Sequence, residues 1–251
     1  MIATDYLTKH AIRNHLNQGI TVCSVPDIES GVVLVKELLY EIVDKNTVLY
    51  LSGGSIQRLY EVLAKEETIQ PGAVGLIDER FGEPMHDRSN EKMIRDTKLL
   101  KYLTYRDIPF YSIIHPGQTR IEAAEAYDAQ VRSLHAIFKR HIGLIGIGPD
   151  GHISSIVQNT PDFYNPWFDA DRKNLFVSEF TNPNSQFKER VGMTFLGLSM
   201  LDQLVIWVFG DSKQAMFDML FAEGKEEDLP ARFLKRPEIA AKTLLITDQQ
   251  V

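Results

Sequence analysis

The sequence predicts an α/β fold with a mostly parallel, twisted sheet flanked by helices, and two observations support this class. Short apolar runs, each long enough for one buried strand, alternate along the chain with amphipathic stretches of helical period. The chain has 251 residues with 44% hydrophobic and 24% charged side chains, a globular composition that excludes disordered, collagen-like and coiled-coil chains. Since a single large α/β domain of this length is common, we expect residues 20–251 to form one domain after an N-terminal extension, residues 1–19.

The predicted strands in the first part of the chain are apolar runs of strand length. They are Ile20–Val25, Thr47–Leu51, Ala73–Ile77, Phe110–Ile113 and Ile142–Ile147. Helices are predicted between them, from Asp27 to about Asp44, after Ser55, from Ser89 or Asn90, and from Thr119 to about Lys139. Asp27 is suited to cap its helix, and Thr119 with Glu122 fits a capping box, because these side chains can satisfy free backbone N–H groups.

The second part of the chain is richer in predicted strands. They are Leu175–Phe180, Arg190–Leu196, Leu204–Phe209 and Thr243–Ile246, with a helix from Ser212 to about Ala222. The N-terminal extension is predicted to be an added helix rather than a disordered tail, because its apolar residues follow a loose helical spacing.

Charge and composition exclude several classes of protein. The chain carries 27 Lys and Arg against 34 Asp and Glu, a net charge of −7, which argues against a general nucleic-acid binder but allows a local basic pocket. No apolar run reaches the roughly 18 residues needed to cross a bilayer, and no signal-peptide core precedes residue 20, so we expect a cytoplasmic protein without a membrane partner. Cys23 is the one cysteine, and its place in an apolar run predicts a buried strand residue.

The first of three polar clusters at predicted strand ends is Ser52-Gly53-Gly54-Ser55. Ligands of open α/β sheets bind at the carboxyl ends of strands. Paired glycines allow a ligand to approach the backbone, and the helix that follows offers free N–H groups, so the cluster suits a phosphate. A tight strand-to-helix turn without a ligand explains the same residues.

The second cluster is Asp78-Glu79-Arg80, with Ser89-Asn90 a short loop later. Arg80 could bind a carboxylate or phosphate through two parallel hydrogen bonds, and Asp78 could bind sugar hydroxyls or orient a base. A surface ion pair at a strand end is the competing interpretation.

The third cluster is Gly146-Ile147-Gly148-Pro149-Asp150-Gly151-His152, a loop that ends in an imidazole. Imidazole exchanges a proton near neutral pH, so His152 is a candidate general base, whereas Asp150 is too close in sequence to assume that the two pair. The other six histidines are predicted to be surface or structural residues, and no metal-ligand spacing is present. Arg190 and Lys213 begin later elements and could supply positive charge for an anionic substrate, or could simply be solvated.

In this order, the motifs resemble those of the 6-phosphogluconolactonase family, which is related to the glucosamine-6-phosphate deaminases. The resemblance covers about Ile20 to Ile246 and rests on the three clusters, Glu122-Ala-Ala-Glu-Ala-Tyr127, Glu189-Arg190-Val191, Gly210-x-x-Lys213 and Leu229-Pro230-Ala231-Arg232. It implies a Rossmann-like fold and a hydrolase of the oxidative pentose phosphate pathway that needs no cofactor or metal. The implied substrate is a small phosphorylated sugar, 6-phosphoglucono-1,5-lactone, and the implied assembly is a monomer or homodimer.

The resemblance also implies roles for individual residues. His152 would activate water as the general base, and Asp78, Arg80 and Asp150 would complete the catalytic set, with Arg80 stabilising developing negative charge. The phosphate would be held by Ser52, Gly53, Gly54, Ser55, Arg190 and Lys213.

Two alternatives remain open, because the residues after Ser55 and His152 depart from the usual lactonase pattern. A deaminase or isomerase on another phosphosugar is one, although the deaminases carry a glutamate where this chain has Val157. A phosphosugar-binding protein without catalysis is the other, since fold does not fix function.

Overall fold

A computed structural model of the chain describes residues 2–158, 175–183 and 185–250. Its strands are β1 His15–Asn17, β2 Ile20–Ser24, β3 Thr47–Leu51, β4 Ala73–Leu76, β5 Asp78–Arg80, β6 Arg140–Gly146, β7 Val177–Thr181, β8 Glu189–Met193, β9 Gln203–Val208 and β10 Thr243–Thr247.

The helices of the described residues connect most of these strands. They are α1 Ile2–Lys9, α2 Ile28–Ile42, α3 Gln57–Glu66, α4 Asn90–Asp96, α5 Leu99–Tyr105, α6 Arg120–Ile137, α7 Phe195–Ser199, α8 Gln214–Phe221 and α9 Pro237–Ala240, with 3₁₀ turns at Asp211–Lys213 and Pro230–Lys235. Asp27 caps α2 through the Ser30 amide, and Thr119 forms the predicted capping box with Glu122, so both predicted caps are confirmed.

A seven-stranded sheet is the centre of the fold, in the order β1-β2-β10-β9-β6-β3-β4. All its neighbouring strands are parallel except β1 and β2, which confirms the predicted α/β class with a mostly parallel sheet. Every residue of β3, β9 and β10 is buried, as expected for strands covered by helices on both faces. The carboxyl ends of β3, β6 and β9 therefore lie side by side at one edge.

A second, three-stranded antiparallel sheet was not predicted and has the order β5-β8-β7. Its first strand, β5, comes almost directly after β4 in the chain, because only Ile77 separates the two strands. This small sheet brings Asp78 and Arg80 beside residues of β8 that are far away in sequence.

Two strand predictions need correction. Phe110–Ile113 is not a strand: only Phe110 bridges to Val74, beside the edge strand β4. The strand predicted over Arg190–Leu196 ends at Met193, because the Thr194 hydroxyl accepts the Gly197 amide at 3.0 Å and begins α7.

The N-terminal extension contributes both a helix and a strand. The predicted helix is confirmed as α1, whose Ala3, Tyr6 and Leu7 are buried, and the Ala3 amide donates to the Gln203 side chain at 3.1 Å where β9 begins. Residues 15–17 then form the antiparallel edge strand β1, which was not predicted.

Cys23 is buried on β2, as predicted. Burial raises the pKa of its thiol to about 12.

Within the described ranges, none of the helices combines the length and the hydropathy that a bilayer crossing requires.

Candidate active site

A pocket of about 190 Å³ lies at the carboxyl ends of β3 and β6, where the small sheet meets the large one. Its lining contains every predicted site residue except Asp150: Ser52, Gly53, Gly54, Ser55, Asp78, Arg80, His152, Arg190 and Lys213. This is the edge at which ligands of parallel α/β sheets bind. The structure thus brings the three polar clusters and the two later cations to one place.

The glycine loop after β3 forms the floor of the pocket. The Ser52 hydroxyl accepts the Gly146 amide at 3.0 Å, which ties this loop to the end of β6. Gly54 has φ +90°, a conformation that favours glycine, and a Cβ on Gly53 would meet the Asn90 side chain at 2.0 Å. The loop then leads into α3, where the Gln57 amide donates to the Gly54 carbonyl at 3.3 Å and so fixes the turn at the start of the helix.

Asp78 and Arg80 occupy alternate positions on β5 and lie on one face of it. The Asp78 carboxylate accepts the Ser155 hydroxyl at 2.6 Å and the Asn90 amide at 3.3 Å. The Arg80 guanidinium donates to the Asn90 side-chain oxygen at 2.6 Å and to the Arg88 carbonyl at 2.8 Å. Both groups are therefore held in place before any ligand binds.

Arg80 and Arg190 are register partners on the antiparallel strands β5 and β8, so their side chains project from the same face. Like charges directly opposite each other destabilise a strand pair, and the negative charge of a ligand would relieve the repulsion. Burial lowers the pKa of Arg190, the carboxylate of Asp78 acts against this, and the charge of Arg80 adds to it. The guanidinium still remains charged, since arginine does not deprotonate in proteins.

His152 and Asp150 form a hydrogen-bonded pair, with 2.5 Å between the ring Nδ1 and the carboxylate. No sequence pattern predicts this pair, because the contact depends on a tight loop. Gly151 has φ +79°, and a Cβ on Gly148 would meet the His152 ring at 2.1 Å. With Nδ1 bound to the carboxylate, Nε2 is the ring nitrogen left to act on a substrate or water.

The charges around this pair favour an ionised Asp150. Partial burial raises the pKa of Asp150, but the hydrogen bond from His152 and its charge outweigh burial and lower the pKa to about 2. Burial lowers the pKa of Lys213, and the charge of Asp150 acts in the opposite direction. The Lys213 ammonium donates to the Ile147 carbonyl and keeps further N–H groups for an anion.

Three residues of the site were missed as functional candidates. Asn90 lines the pocket and contacts both Asp78 and Arg80. Ser155 contacts Asp78, and Glu79 is buried beneath the loop that carries Asn90. The sequence did contain a signal, because Ser89-Asn90 follows Asp78-Glu79-Arg80 after a short loop. Spacing alone, however, does not show which side chains are in contact.

The six other histidines are outside the pocket. Burial lowers the pKa of His135 to about 4, and its ring stacks on that of His141 at 3.6 Å. His86 supports Arg80 from outside the pocket, because its Nε2 contacts the Arg80 carbonyl at 3.0 Å. His10, His15 and His115 are exposed, which agrees with the prediction of surface or structural roles.

A wider depression of about 850 Å³ opens at the opposite edge of the sheet and is lined by Lys45, Tyr105 and Arg106 among others. It lies where strands begin, and the chemistry-bearing clusters are absent from its lining. Among the residues that the structure describes, no three or more His, Cys, Asp or Glu side chains are grouped to hold a metal ion.

Sequence comparisons relate this chain to sugar-phosphate enzymes. The family model described as glucosamine-6-phosphate isomerases/6-phosphogluconolactonase matches residues 32–244. A 6-phosphogluconolactonase of Synechocystis sp. is 30% identical over 217 residues, covering 80% of this chain and 81% of the relative. One of Rhizobium meliloti is 27% identical, covering 75% of this chain and 79% of the relative.

Solved structures share the fold. A 6-phosphogluconolactonase from Plasmodium vivax superposes with a TM-score of 0.78 at 16% identity, covering 98% of this chain and 96% of the other. One from Thermotoga maritima gives a TM-score of 0.67 at 24% identity, covering 92% of this chain and 99% of the other. At these identities the likeness concerns the fold alone.

Proposed function

The chain belongs to the family of glucosamine-6-phosphate isomerases and 6-phosphogluconolactonases, and on that premise we propose that it hydrolyses 6-phospho-D-glucono-1,5-lactone to 6-phospho-D-gluconate. The relatives named above are 6-phosphogluconolactonases, which favours this branch of the family. A cytoplasmic location, a monomeric or homodimeric state and the absence of a nucleic-acid or membrane partner belong to the same proposal.

One observation carries the proposal: a carboxylate-bound imidazole at the rim of a pocket that contains three cationic side chains. The pocket residues Arg80, Arg190 and Lys213 are all positive, although the whole chain has a net charge of −7. Hydrolysis of a phosphorylated sugar lactone needs both features: cationic side chains that bind the phosphate, and a base that activates the attacking water.

In the proposed mechanism, His152 is the general base. Its Nε2 takes a proton from water as the oxygen of that water bonds to the lactone carbonyl carbon. When the tetrahedral intermediate collapses, the bond to the ring oxygen breaks, and that oxygen receives the proton from His152 and becomes a free hydroxyl. Asp150 holds the ring by its Nδ1 and stabilises the imidazolium that forms between the two steps.

The cations act at the two ends of the substrate. Arg80 stabilises the negative charge that develops on the carbonyl oxygen, because its guanidinium is positive. Two hydrogen bonds already fix this group, so it needs no reorganisation during the reaction. At the other end, Arg190, Lys213 and the amides of Gly53, Gly54 and Ser55 hold the phosphate, together with the positive end of α3. Ser52 supports this loop through its bond to Gly146.

The deaminase branch is less well supported by the chemistry of the site. Opening an amino-sugar ring calls for a further proton-relaying group near the histidine, and the corresponding position is Val157, a buried and apolar side chain. A binding protein without catalysis would not need the fixed Asp150–His152 pair.

The test compares the rate of lactone opening with and without the protein. Freshly made 6-phosphogluconolactone is followed through 6-phosphogluconate dehydrogenase, and the spontaneous rate is subtracted. We expect the wild-type protein to accelerate opening and His152→Ala to lower kcat by about 100-fold to 10,000-fold, because proton transfer in the transition state is lost. Affinity for 6-phosphogluconate, measured by calorimetry, should change by less than about threefold, because the phosphate grip is intact.

A matched pair of variants tests the role of Asp150. Asp150→Asn should lower kcat by about 10-fold or more, because the neutral amide stabilises the imidazolium less. Glu41→Gln is the control, because Glu41 pairs with His10 on the surface at 2.8 Å, and it should leave kcat unchanged. No acceleration by the wild-type protein would refute the lactonase proposal, and full activity in His152→Ala would refute the mechanism.

A further inference from the structure

We propose that Asn90 is a positioning residue, which holds Asp78 and Arg80 in their reactive arrangement, and that the buried carboxylate of Glu79 fixes Asn90 in turn. The inference rests on the proposed function, because Arg80 acts there on the substrate, and Asp78 lines the same pocket. It assigns a task to two residues that do not themselves carry out the chemistry.

The side chain of Asn90 bridges the two functional groups. Its amide nitrogen donates to the Asp78 carbonyl at 2.8 Å and to the Asp78 carboxylate at 3.3 Å. Its oxygen accepts from the Arg80 guanidinium at 2.6 Å. The carboxamide of Asn90 has a donor and an acceptor far enough apart to reach both groups, and Asn90 is buried, so water does not replace these contacts.

The bridge matters because Arg80 stands opposite Arg190. The repulsion between two guanidinium groups favours any rotamer of Arg80 that turns away from the pocket. The contacts that oppose this come from Asn90 and from the Arg88 carbonyl, where the loop after β5 runs into α4. The geometry of Arg80 therefore depends on how firmly that loop is held.

Glu79 holds the loop from beneath. It lies between Asp78 and Arg80 on β5 and projects to the opposite face, where it is 1% exposed. One carboxylate oxygen accepts the amides of Arg80 and Asn90, both at 2.7 Å. The other accepts the Ser89 hydroxyl at 2.8 Å and the Glu91 amide at 2.9 Å.

Four donors facing two oxygens call for a carboxylate. Burial raises the pKa of Glu79, and these hydrogen bonds act in the opposite direction. A glutamine of the same shape would place an N–H group against the Ser89 hydroxyl and the Glu91 amide, so part of the loop would be released. Asn90 would then lose its fixed position although its own side chain is unchanged.

The experiment measures kcat and KM for lactone hydrolysis in Asn90→Ser, Glu79→Gln and the double variant. We expect Asn90→Ser to lower kcat by about 10-fold to 100-fold, because a misplaced catalytic group has an effect of this size. KM should change by less than about threefold, because the phosphate-binding residues are unaltered. Glu79→Gln should lower kcat in the same way, and the loss in the double variant should be smaller than the product of the two single losses, because both changes act on the same placement of Arg80.

A matched buried carboxylate separates positioning from plain stability. Asp128 accepts the backbone amides of Phe176 and Val177 at 2.6 and 2.9 Å, away from the pocket. Asp128→Asn should therefore lower Tm, but kcat measured at temperatures below the unfolding transition should stay unchanged. If Glu79→Gln is too unstable to assay, Asn90→Ser alone decides, because it removes only the bridge.

The outcomes distinguish the inference from the proposed function. A wild-type protein that does not accelerate lactone opening refutes the function. A wild-type protein that accelerates it, with Asn90→Ser at full kcat or with additive losses in the double variant, overturns the positioning role.

Discussion

At the scale of single residues, the cationic pocket depends on neighbours that sequence position does not reveal. Arg80 and Arg190 face each other only because β5 and β8 pair in one particular register. The sequence indicated that both residues could bind an anion, but no local pattern predicts the pairing of strands so far apart in the chain. The same limit applies to His152 and Asp150, whose contact requires the bare Cα of Gly148.

The role of Lys213 can be tested against a lysine in a similar environment. Lys213 and Lys242 both donate to a backbone carbonyl, and burial lowers the pKa of both. Lys213→Met should raise KM for the lactone by about 10-fold, the effect of losing one charge-assisted hydrogen bond of about 1.5 kcal/mol, whereas Lys242→Met should leave KM unchanged. Steady-state kinetics on the two variants checks this, and equal KM values would exclude Lys213 from the phosphate grip.

At the scale of secondary-structure elements, sequence patterns predicted most helices and the buried parallel strands. Their signals are local: a run such as Leu204–Phe209 is apolar throughout, and caps such as Asp27 act within one turn. The predictions that failed concern strands that form only when a distant segment of the chain pairs with them. Phe110–Ile113 is apolar enough for a strand, but only Phe110 finds a pairing partner beside β4. The short strand β5 exists because β8 pairs with it, which its three charged residues did not suggest.

The packing at the junction of α6 and β6 predicts how the stability of the protein changes at acidic pH. His135 and His141 stack there, with Asp202 accepting the His141 amide at 2.7 Å. Burial lowers the pKa of His135 to about 4, and the charge of His141 adds to this while Asp202 opposes it. The unfolded chain binds this proton near pH 6.5, so stability is lost as pH falls from about 6.5 to 4 and no further below that.

His135→Phe removes this titration and keeps a stacked ring. Between pH 6.5 and 4, we expect the wild-type Tm to fall by roughly 3–6 °C more than that of His135→Phe, which corresponds to about 1–2 kcal/mol after solvent screening at the half-buried ring. His115→Phe, at an exposed histidine, is the control and should follow the wild-type curve. Parallel curves for wild type and His135→Phe, measured by calorimetry, would show that the stacked pair does not govern acid stability.

At the scale of the whole molecule, the sequence predicted the class but not the order of the strands. Local patterns carry no information about which strand lies beside which, so the sheet order and the second sheet had to come from the structure. The site was nevertheless predictable in outline, because parallel strands place their carboxyl ends at one edge. Ser52, Asp78 and His152 were predicted to lie in clusters at strand ends, and the structure brings the three residues into one pocket.

The N-terminal extension gives a prediction at this scale. A chain that begins at residue 14 lacks α1 and the buried side chains of Tyr6 and Leu7, so its Tm should fall by roughly 5–10 °C. Its kcat below the unfolding range should equal that of the full chain, because α1 lies where β9 begins, opposite the pocket. Lys9→Ala, at an exposed position of the same helix, should retain the full Tm. An unchanged Tm after truncation would show that α1 does not stabilise the domain.

The buried thiol on β2 has a practical consequence for spectroscopy. Burial raises the pKa of Cys23 to about 12, so the thiol is protonated at pH 7, and at 1% exposure it is closed to a maleimide. A cysteine introduced at an exposed position such as Tyr105, which is 75% exposed, would then be the sole reactive thiol. A fluorophore or spin label can thus be attached at one chosen point of the otherwise native chain.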